Sequence, residues 1–269
     1  MQTLQLDKVD FQLKQFDVPS EDHFKTLIKE STIIKDSNGQ TQIAYVENAH
    51  DLSILFSSLK TIRYEETGRT NGLPTISRVF GYQPRIAIRR DFCTATKLNS
   101  ESPDTFELLK QAAMVASKHY FDTNPGLHHV HMEMMEKILP NWRISEGDKQ
   151  TPFTSGIINK NNQLRYHYDS GNFKNVWSAM FVMKGNVDGG YISIPEYNIG
   201  FELANNSLFL FDGQSILHGV TPIKINSMES YRISVVYYSL AGMWKCLEPK
   251  EELARIRKVK TQREEKRAV

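Results

Sequence analysis

The sequence predicts an α+β fold with a mainly β core of the sandwich or jelly-roll type, on which N-terminal helices pack. Two observations lead to this prediction. Short runs of β-branched and aromatic residues follow one another through the second half of the chain, separated by Gly and Asn turns. A long stretch with helical spacing comes before them. The predicted strands lie at 153–158, 164–169, 176–184, 191–194, 200–203, 207–211 and 232–240.

The clearest predicted helix covers residues 102–122, which Ser102 or Asp104 can cap. Its apolar residues recur at helical spacing, which predicts one face packed on a sheet. Those residues are Phe106, Leu109, Ala113, Ala116 and Tyr120. A second helix start is predicted at Ser20, a preferred N-cap residue followed by the acidic Glu21.

Length and composition set the outer bounds. The 269 residues suffice for one large domain, in which we expect 1–150 to be a supporting region, 151–245 the β core and 246–269 a basic C-terminal helix or tail. A content of 40% hydrophobic and 24% charged residues is that of an ordinary soluble protein. The formal net charge of +2 is too small to indicate a nucleic-acid partner, so such a surface must come from local clusters of cations.

The chain has two cysteines, Cys93 and Cys246, and neither belongs to a Cys-x-x-Cys pair. We therefore expect two reduced thiols in a reducing compartment. No apolar run reaches the length of a membrane span, and the first residues lack the apolar segment of a signal peptide. These features predict a cytoplasmic protein, or a nuclear one if the source is eukaryotic.

Two histidines and one aspartate form the strongest candidate site. His167 and Asp169 lie two residues apart in an extended, aromatic-rich run, so strand alternation places both side chains on one face. His218 follows the predicted strand at 207–211. Two His and one carboxylate on neighbouring strands can bind one face of an octahedral metal and leave the other positions free, as in the facial triad of non-haem Fe(II) oxygenases. The sequence therefore predicts these three residues as metal ligands and catalytic residues.

Arg232 begins the last predicted strand, in which alternation places Arg232, Ser234, Val236 and Tyr238 on one face. A guanidinium fork beside a hydroxyl suits the carboxylate tail of a dicarboxylic acid. The order His-x-Asp, distal His and Arg-x-Ser resembles the Fe(II)/2-oxoglutarate-dependent dioxygenases, in which the arginine holds the far carboxylate of 2-oxoglutarate. This resemblance predicts Arg232 as a catalytic residue and, with Ser234, as a cofactor-binding one.

A second group of possible metal ligands contains His128, His129 and His131, with Glu133 close by. This group has no further partner at a recognised spacing. Histidines at such a bend are commonly structural or exposed, and we expect that role here.

Residues 60–91 contain more cations than acids, interleaved with aromatic residues and loop formers. Arginine with aromatics on an irregular segment suits phosphate contact and base stacking in nucleic acid. The alternative is a solvated loop whose arginines pair with surface acids. Arg78 and Arg85 are the predicted substrate contacts, whereas Arg89 and Arg90 are candidates for reaching the active site. The cations are Lys60, Arg63, Arg69, Arg78, Arg85, Arg89 and Arg90.

Several segments together resemble the TET/JBP family, which oxidises the 5-methyl group of a pyrimidine base in nucleic acid. They are His167-Tyr168-Asp169-Ser170-Gly171-Asn172, Val176-Trp177-Ser178-Ala179-Met180, Asp212-Gly213-Gln214, His218-Gly219-Val220-Thr221-Pro222 and Tyr231-Arg232-Ile233-Ser234 to Tyr238. The resemblance covers residues 150–242 well and the N-terminal third loosely. It implies a single oxygenase domain over 1–269 with a double-stranded β-helix core, the jelly roll predicted above.

The resemblance also implies the cofactors and the partner. His167, Asp169 and His218 would ligate Fe(II), and Arg232 and Ser234 would bind 2-oxoglutarate, with O2 as co-substrate. Asn172 matches a polar residue that hydrogen-bonds the target base, and Tyr238 matches an aromatic residue that stacks on it. The expected partner is DNA containing a 5-methylpyrimidine that has flipped out of the duplex. No membrane and no obligate protein partner is expected. Residues 1–150 would contribute DNA contacts.

The expected reaction converts 5-methylcytosine to 5-hydroxymethylcytosine, with further oxidation left open. Leu240 departs from the family pattern, because methylcytosine oxidisers of the TET type have a base-contacting histidine at the matching position. Thymine hydroxylation to 5-hydroxymethyluracil therefore stays an alternative. A 2-oxoglutarate-dependent hydroxylase of a small molecule or a protein side chain is a further alternative, and a non-catalytic binding module is disfavoured because the ligand set and Arg232 are intact.

Overall fold

The computed structural model describes residues 1–68, 73–86 and 91–267. In chain order its strands are β1 (Gln2–Gln5), β2 (Thr26–Ile28), β3 (Thr32–Lys35), β4 (Thr41–Val46), β5 (Glu65–Gly68), β6 (Pro74–Gln83), β7 (Thr94–Ala95), β8 (Ser145–Glu146), β9 (Lys149–Gln150), β10 (Ser155–Lys160), β11 (Ser178–Gly185), β12 (Val187–Gly189), β13 (Ile192–Ile194), β14 (Ile199–Phe201), β15 (Ser207–Phe211), β16 (Gly219–Val220), β17 (Ile223–Ile225) and β18 (Tyr231–Tyr238). Its α-helices are α1 (Ser53–Leu59), α2 (Lys97–Glu101), α3 (Pro103–Thr123), α4 (Pro125–Met135) and α5 (Pro249–Arg267).

Two facing sheets form the β core. The main sheet has the order β1-β3-β4-β15-β11-β18-β10-β6-β5, with β7 added beside β6, and the smaller sheet has the order β16-β13-β14-β2. A cluster of buried apolar residues that includes Ile43, Phe209, Ile194 and Phe201 fills the space between the two sheets. This is the predicted jelly roll, and the predicted strand positions from 176 onward agree with the observed strands to within a few residues.

The helices α1 and α3 cover the outer face of the main sheet. Leu109, Ala113 and Tyr120 of α3 pack in one apolar cluster with Phe181 and Tyr237 of the sheet. The predicted helix at 102–122 is confirmed, because Pro103 sits at a first-turn position where a missing N–H costs nothing and the apolar stripe is buried. The predicted C-terminal helix is present as α5.

The strand β18 lies in the middle of the main sheet, between β10 and β11. Its residues alternate between the two faces, as the sequence predicts for a strand. Ile233, Val235 and Tyr237 belong to the cluster under the helices. Arg232 and Ser234 point the other way, into a pocket between the sheets.

The predicted helix start at Ser20 is confirmed only for its cap. Ser20 Oγ accepts from the backbone N–H of Asp22, but the helix is a single 3₁₀ turn, Glu21–His23. The chain then turns extended at Phe24, and β2 pairs in parallel with β14. The Phe24 ring packs against Gly200, where an added Cβ would lie 2.6 Å from the ring, so tertiary packing overrides the local signal.

The predicted hairpin at 153–169 is wrong in its pairing. The first run is β10, and Asn161 takes a left-handed conformation in the predicted turn. β10, however, pairs with β18 and β6. The second run is extended and makes a single bridge, His167 to His218, so it crosses to the opposite side of the pocket.

The prediction of two reduced thiols is also wrong, because Cys93 and Cys246 form a disulfide. The two cysteines lie 153 residues apart in sequence, and their Cα atoms are 5.7 Å apart. The segments around them meet in an apolar cluster that includes Trp142 and Met243. This long-range packing was not visible in the spacing of the cysteines.

The Arg-rich segment is less irregular than the sequence suggested. Residues 74–83 form the strand β6, and Phe80 is buried in the core under α3. Arg69, Arg89 and Arg90 lie outside the described residues, so their predicted roles stay predictions. Within the described chain, no helix combines the length and apolar character needed to cross a bilayer.

Candidate active site

His167, Asp169 and His218 come together on one side of the pocket between the sheets. The backbones of the two histidines pair directly: His167 N–H donates to the His218 carbonyl over 2.9 Å, and His218 N–H donates to the His167 carbonyl over 3.1 Å. One ligand atom from each of the three side chains lies within 4.8 Å of the others. His167 Nε2 and Asp169 Oδ1 are 3.7 Å apart. The three side chains therefore share one point, as predicted.

Both imidazoles are oriented by the backbone. His167 Nδ1 lies 2.8 Å from the Arg165 carbonyl oxygen, and His218 Nδ1 lies 2.9 Å from the Ile216 carbonyl oxygen. Each Nδ1–H donates to its carbonyl, which leaves the Nε2 lone pair of each ring to face the shared point. Such hydrogen bonds fix the tautomer and the ring direction of metal-binding histidines.

Gly213 makes room for the carboxylate of Asp169. The Asp169 backbone N–H donates to the Gly213 carbonyl over 2.8 Å, so the two residues lie side by side. A Cβ on Gly213 would come within 2.4 Å of Asp169 Oδ2. The Asp-Gly-Gln segment noticed in the sequence therefore has a steric function at the site.

Arg232 is the buried cation of the pocket. Its side chain is 3% exposed, and Nη2 has no hydrogen-bond partner among the described residues. Burial lowers the pKa of Arg232 to about 10, which still leaves the guanidinium charged at neutral pH. An unpaired buried guanidinium N–H is costly unless an anion meets it. A carboxylate ligand is the simplest explanation for its presence.

Polar side chains from β10 and the turn after it surround Ser234. Asn159 is the register partner of Ser234 across β10 and β18, and its Nδ2 lies 3.5 Å from Ser234 Oγ. Asn162 Nδ2 donates to Asn159 Oδ1 over 3.1 Å. These two asparagines were not predicted as site residues, since their sequence signal was only that of a turn.

The residues present fit a metal ion and a dicarboxylate. Two imidazoles and one carboxylate form the donor set of a 2-His-1-carboxylate iron site. The buried Arg232 and Ser234 line the same cavity of about 690 Å³ as the three metal-ligand candidates. The cavity can therefore bind an anion at one end and a metal between that end and solvent.

The mouth of the cavity is more exposed and carries the predicted base contacts. Asn172 and Tyr238 both line the cavity, and Asn172 is bridged to Leu240 across two extended segments. Asn172 Nδ2 lies 3.4 Å from Ser178 Oγ as its donor. Leu240, which departs from the family pattern, lines the mouth beside them. The structure therefore brings the two predicted base-contacting residues together.

Arg78 and Arg85 are not in this cavity. Arg78 is 5% exposed and forms ion pairs with Glu65, at 2.6 Å, and with Glu101. Arg85 pairs with the buried Glu252 of α5, with 3.1 Å between Nε and Oε2. Both guanidinium groups have carboxylate partners, so their predicted contact with substrate stays a prediction without support from this geometry.

The second histidine group is structural, as expected. All three histidines lie on α4, where His131 is buried and its Nε2 lies 2.9 Å from Ser239 Oγ. Burial, with a smaller contribution from His128, lowers the pKa of His131 to about 3. His128 pairs with Ser117, and the exposed His129 faces Glu133. These rings do not converge on a common point as the triad does.

One contributor to the pocket was not predicted at all. Gln15 and Phe16, from the N-terminal segment between β1 and β2, line the cavity beside His167 and Tyr168. No sequence signal marked residues 1–60 as part of a site. The backbone pairing of this segment with residue 166, which places it there, is long-range.

Comparisons with known sequences agree with this geometry. Residues 82–241 match the family Tet_JBP, the oxygenase domain of the 2OGFeDO superfamily. The bifunctional helicase and thymine dioxygenase JBP2 of Trypanosoma brucei brucei is 28% identical over 113 residues, which are 42% of this chain and 10% of that protein. JBP2 of Leishmania tarentolae is 25% identical over 173 residues, 64% of this chain and 15% of that protein. The chain thus matches only a small part of these relatives.

Comparisons with solved structures show the fold. The structure described as NgTET1 in complex with 5mC DNA superposes with a TM-score of 0.62 and 15% identity, covering 89% of this chain and 90% of that one. A 2OG-Fe(II) oxygenase family oxidoreductase from Burkholderia pseudomallei superposes with a TM-score of 0.50 and 14% identity, covering 73% and 84%. The predicted fold class is therefore confirmed.

Proposed function

The chain belongs to the TET/JBP oxygenase family of the 2OGFeDO superfamily, and from this we propose that it is an Fe(II)- and 2-oxoglutarate-dependent dioxygenase acting on the 5-methyl group of a pyrimidine in DNA. The observation that carries the proposal is the convergence of His167, Asp169 and His218 in one cavity with the buried, unpaired guanidinium of Arg232. A family member without catalytic function would have no need to keep that costly cation.

The proposed cofactor sites follow from this arrangement. His167, Asp169 and His218 would hold Fe(II), and Arg232 with Ser234 would hold the far carboxylate of 2-oxoglutarate. When bound, these groups supply the oxidising power through decarboxylation of 2-oxoglutarate to succinate with O2. The Nδ1 hydrogen bonds of both histidines keep the metal-facing nitrogens in place in advance.

The remaining residues of the cavity exclude water and position the base. Ile157, Met180, Phe211 and Val236 give the cavity apolar walls around the triad. A pyrimidine in duplex DNA cannot reach a buried metal, so the base has to leave the stack. Tyr238 at the mouth would stack on the extruded base, which would place its methyl group toward the triad.

Asn172 supports 5-methylcytosine as the target. Its Nδ2 donates to Ser178 Oγ, so its Oδ1 is left to accept a hydrogen bond from the base. The 4-amino group of cytosine can donate that bond, whereas O4 of thymine is only an acceptor. We therefore propose oxidation of 5-methylcytosine to 5-hydroxymethylcytosine.

Thymine is the second candidate, and two observations favour it. The curated relatives are named thymine dioxygenases. Leu240 also leaves this mouth without an additional polar partner at the position next to Asn172. Hydroxylation of thymine to 5-hydroxymethyluracil would use the same metal, cofactor and stacking residues.

The test is nucleoside mass spectrometry after incubation with Fe(II), 2-oxoglutarate and O2. One DNA contains 5-methylcytosine and a matched DNA contains unmodified cytosine at the same positions. The proposal predicts 5-hydroxymethylcytosine from the first DNA only, and its absence with an Asp169→Ala variant. Formation of 5-hydroxymethyluracil from both DNAs would select thymine instead. No oxidised base from either DNA would refute the proposed function.

A further inference from the structure

The N-terminal segment of residues 7–18, here called the strap, crosses the mouth of the active-site cavity. It has no helix or strand, yet it is fixed by backbone hydrogen bonds. Phe16 N–H donates to the Tyr166 carbonyl over 2.8 Å, and Tyr166 N–H donates to the Asp17 carbonyl over 3.0 Å. Arg165 Nη1 donates to the Phe16 carbonyl over 2.8 Å. The strap is therefore bound to the segment that carries His167.

Phe16 has an unfavourable backbone conformation. Its φ of 75° lies in the left-handed region, which a bulky residue rarely adopts and which costs on the order of 1–3 kcal/mol. Its side chain is 48% exposed, so burial of the ring offsets little of that cost. Strained residues of this kind cluster at functional sites. The backbone bonds to residues 165 and 166 hold the aromatic ring at the mouth.

A second cavity of about 630 Å³ adjoins the first along the strap. Gln15 and Tyr168 line both cavities, so the two form one continuous groove. The further lining of the second cavity is Phe11, Gln12, Leu13, Lys14 and Leu217. This lining has one cation, Lys14, and no carboxylate. A polyanion can therefore enter it without meeting a like charge.

Three aromatic side chains around this groove are exposed: Phe11 at 38%, Phe16 at 48% and Tyr168 at 38%. Single exposed aromatics are common, but these three lie along one groove that opens into the active-site cavity. Aromatic rings beside a cation are the usual surface for unstacked bases of a single strand.

We infer that the strap binds the nucleotide next to the target base in the same DNA strand. This rests on the proposed function, because the target base occupies the mouth between the strap and Tyr238. Phe16 and Tyr168 stack on the neighbouring base, and Lys14 neutralises a phosphate. The strap thereby holds the distorted strand while the target base is inside the cavity.

The test is steady-state kinetics on a short single-stranded oligonucleotide with one central 5-methylpyrimidine. Phe16→Ala and Tyr168→Ala should each raise KM about 5- to 100-fold through lost stacking, with the loss in KM rather than kcat. Phe16→Tyr should restore KM, whereas Phe16→Leu should not. Phe121→Ala is the matched control, because Phe121 is 54% exposed on α3 and lines neither cavity.

The outcomes separate this inference from the proposed function. An active wild-type enzyme with unchanged KM in Phe16→Ala and Tyr168→Ala would overturn the role of the strap alone. A Phe16→Leu variant as good as Phe16→Tyr would also overturn it, because a packing role needs no aromatic ring. An inactive wild-type enzyme on every methylated DNA would remove both proposals together.

Discussion

His167 and His218 show how much of the site is built by backbone geometry. The bridge between them sets the distance between their side chains, and the carbonyls of Arg165 and Ile216 set the direction of their rings. Both features follow from an extended chain with the histidine two residues after the accepting carbonyl. The ligand set could therefore be predicted from His-x-Asp, the distal His and strand alternation. The asparagines around Ser234 could not, since turn-forming Asn residues occur throughout the sequence.

Asn172 allows a prediction about base reading. Asn172→Asp keeps an acceptor oxygen toward the base, whereas Asn172→Leu removes all hydrogen bonding at nearly the same volume. We expect Leu to lower kcat/KM on 5-methylcytosine DNA about 10- to 100-fold, the cost of an unmet polar group on the base, and Asp to lower it less. Equal losses in the two variants, measured by nucleoside mass spectrometry, would show that Oδ1 does not accept from the base.

Gly213 allows a prediction about metal binding. In Gly213→Ala the new Cβ would meet Asp169 Oδ2, so the carboxylate has to move away from the two histidines. We expect Fe(II) affinity under anaerobic conditions to fall at least ~10-fold, as for disturbed support of metal ligands. Gly126→Ala is the control, since Gly126 lies exposed on α4 with nothing near its Cβ position. Unchanged affinity in Gly213→Ala would mean that Asp169 is not a ligand.

At the scale of elements, α4 presses a neutral histidine against the strand end that carries Tyr238 and Leu240. His131 contacts Ser239 and is surrounded by the rings of Tyr120, Phe153 and Phe173. Its position on the helix was visible in the sequence only as part of a His-rich bend. Its role depends on packing between distant segments.

The low pKa of His131, about 3, makes folding stability depend on pH. Between that value and the ordinary pKa near 6.5, the unfolded chain binds a proton here that the native state does not. Stability should therefore be level above pH 6.5 and fall below it, by up to about 1.4 kcal/mol per pH unit from this group. His131→Gln should flatten this part of the curve in urea titrations, and the exposed His129→Gln should not. Identical curves for both variants would contradict the assignment.

The disulfide joins the segment after β6 to the segment before α5. Glu252 of α5 accepts from Cys93 N–H over 3.1 Å and pairs with Arg85, so ionic and covalent links lie together. Because the bond closes a loop of 153 residues, we expect the Cys93→Ser/Cys246→Ser variant to lose about 2–4 kcal/mol of unfolding free energy. Reductant should produce the same loss in the wild type and none in the double variant. Equal urea midpoints for wild type and variant would show that the bond does not form in solution.

The elements also show where sequence reasoning ended. α3 and β18 were predictable because their periodicity reports burial directly. The single turn after Ser20 was mistaken for a helix because the cap signal is local, whereas the pairing of β2 with β14 is long-range. The strap and the disulfide likewise depend on segments that meet only in the folded chain.

At the scale of the whole molecule, the two apolar clusters give the site its form. One cluster fixes the helices behind the main sheet, and the other closes the smaller sheet over the front of it. The cavity lies in front, where β18 turns Arg232 inward and its outer end carries Tyr238 to the mouth. A single strand thus orders anion site, metal site and entrance along its length. This order was predictable from the alternation of β18, while the position of the opposite wall was not.

The central claim is that three side chains hold one ferrous ion beside a guanidinium anchor, and anaerobic equilibrium dialysis with Fe(II) and 2-oxoglutarate tests it most directly. We predict one Fe(II) per chain for the wild type and for a His129→Ala control. His167→Ala, Asp169→Ala and His218→Ala should each weaken Fe(II) binding, and Arg232→Met should bind Fe(II) but lose 2-oxoglutarate. Undiminished Fe(II) binding in the three triad variants, or undiminished 2-oxoglutarate binding in Arg232→Met, would contradict the claim.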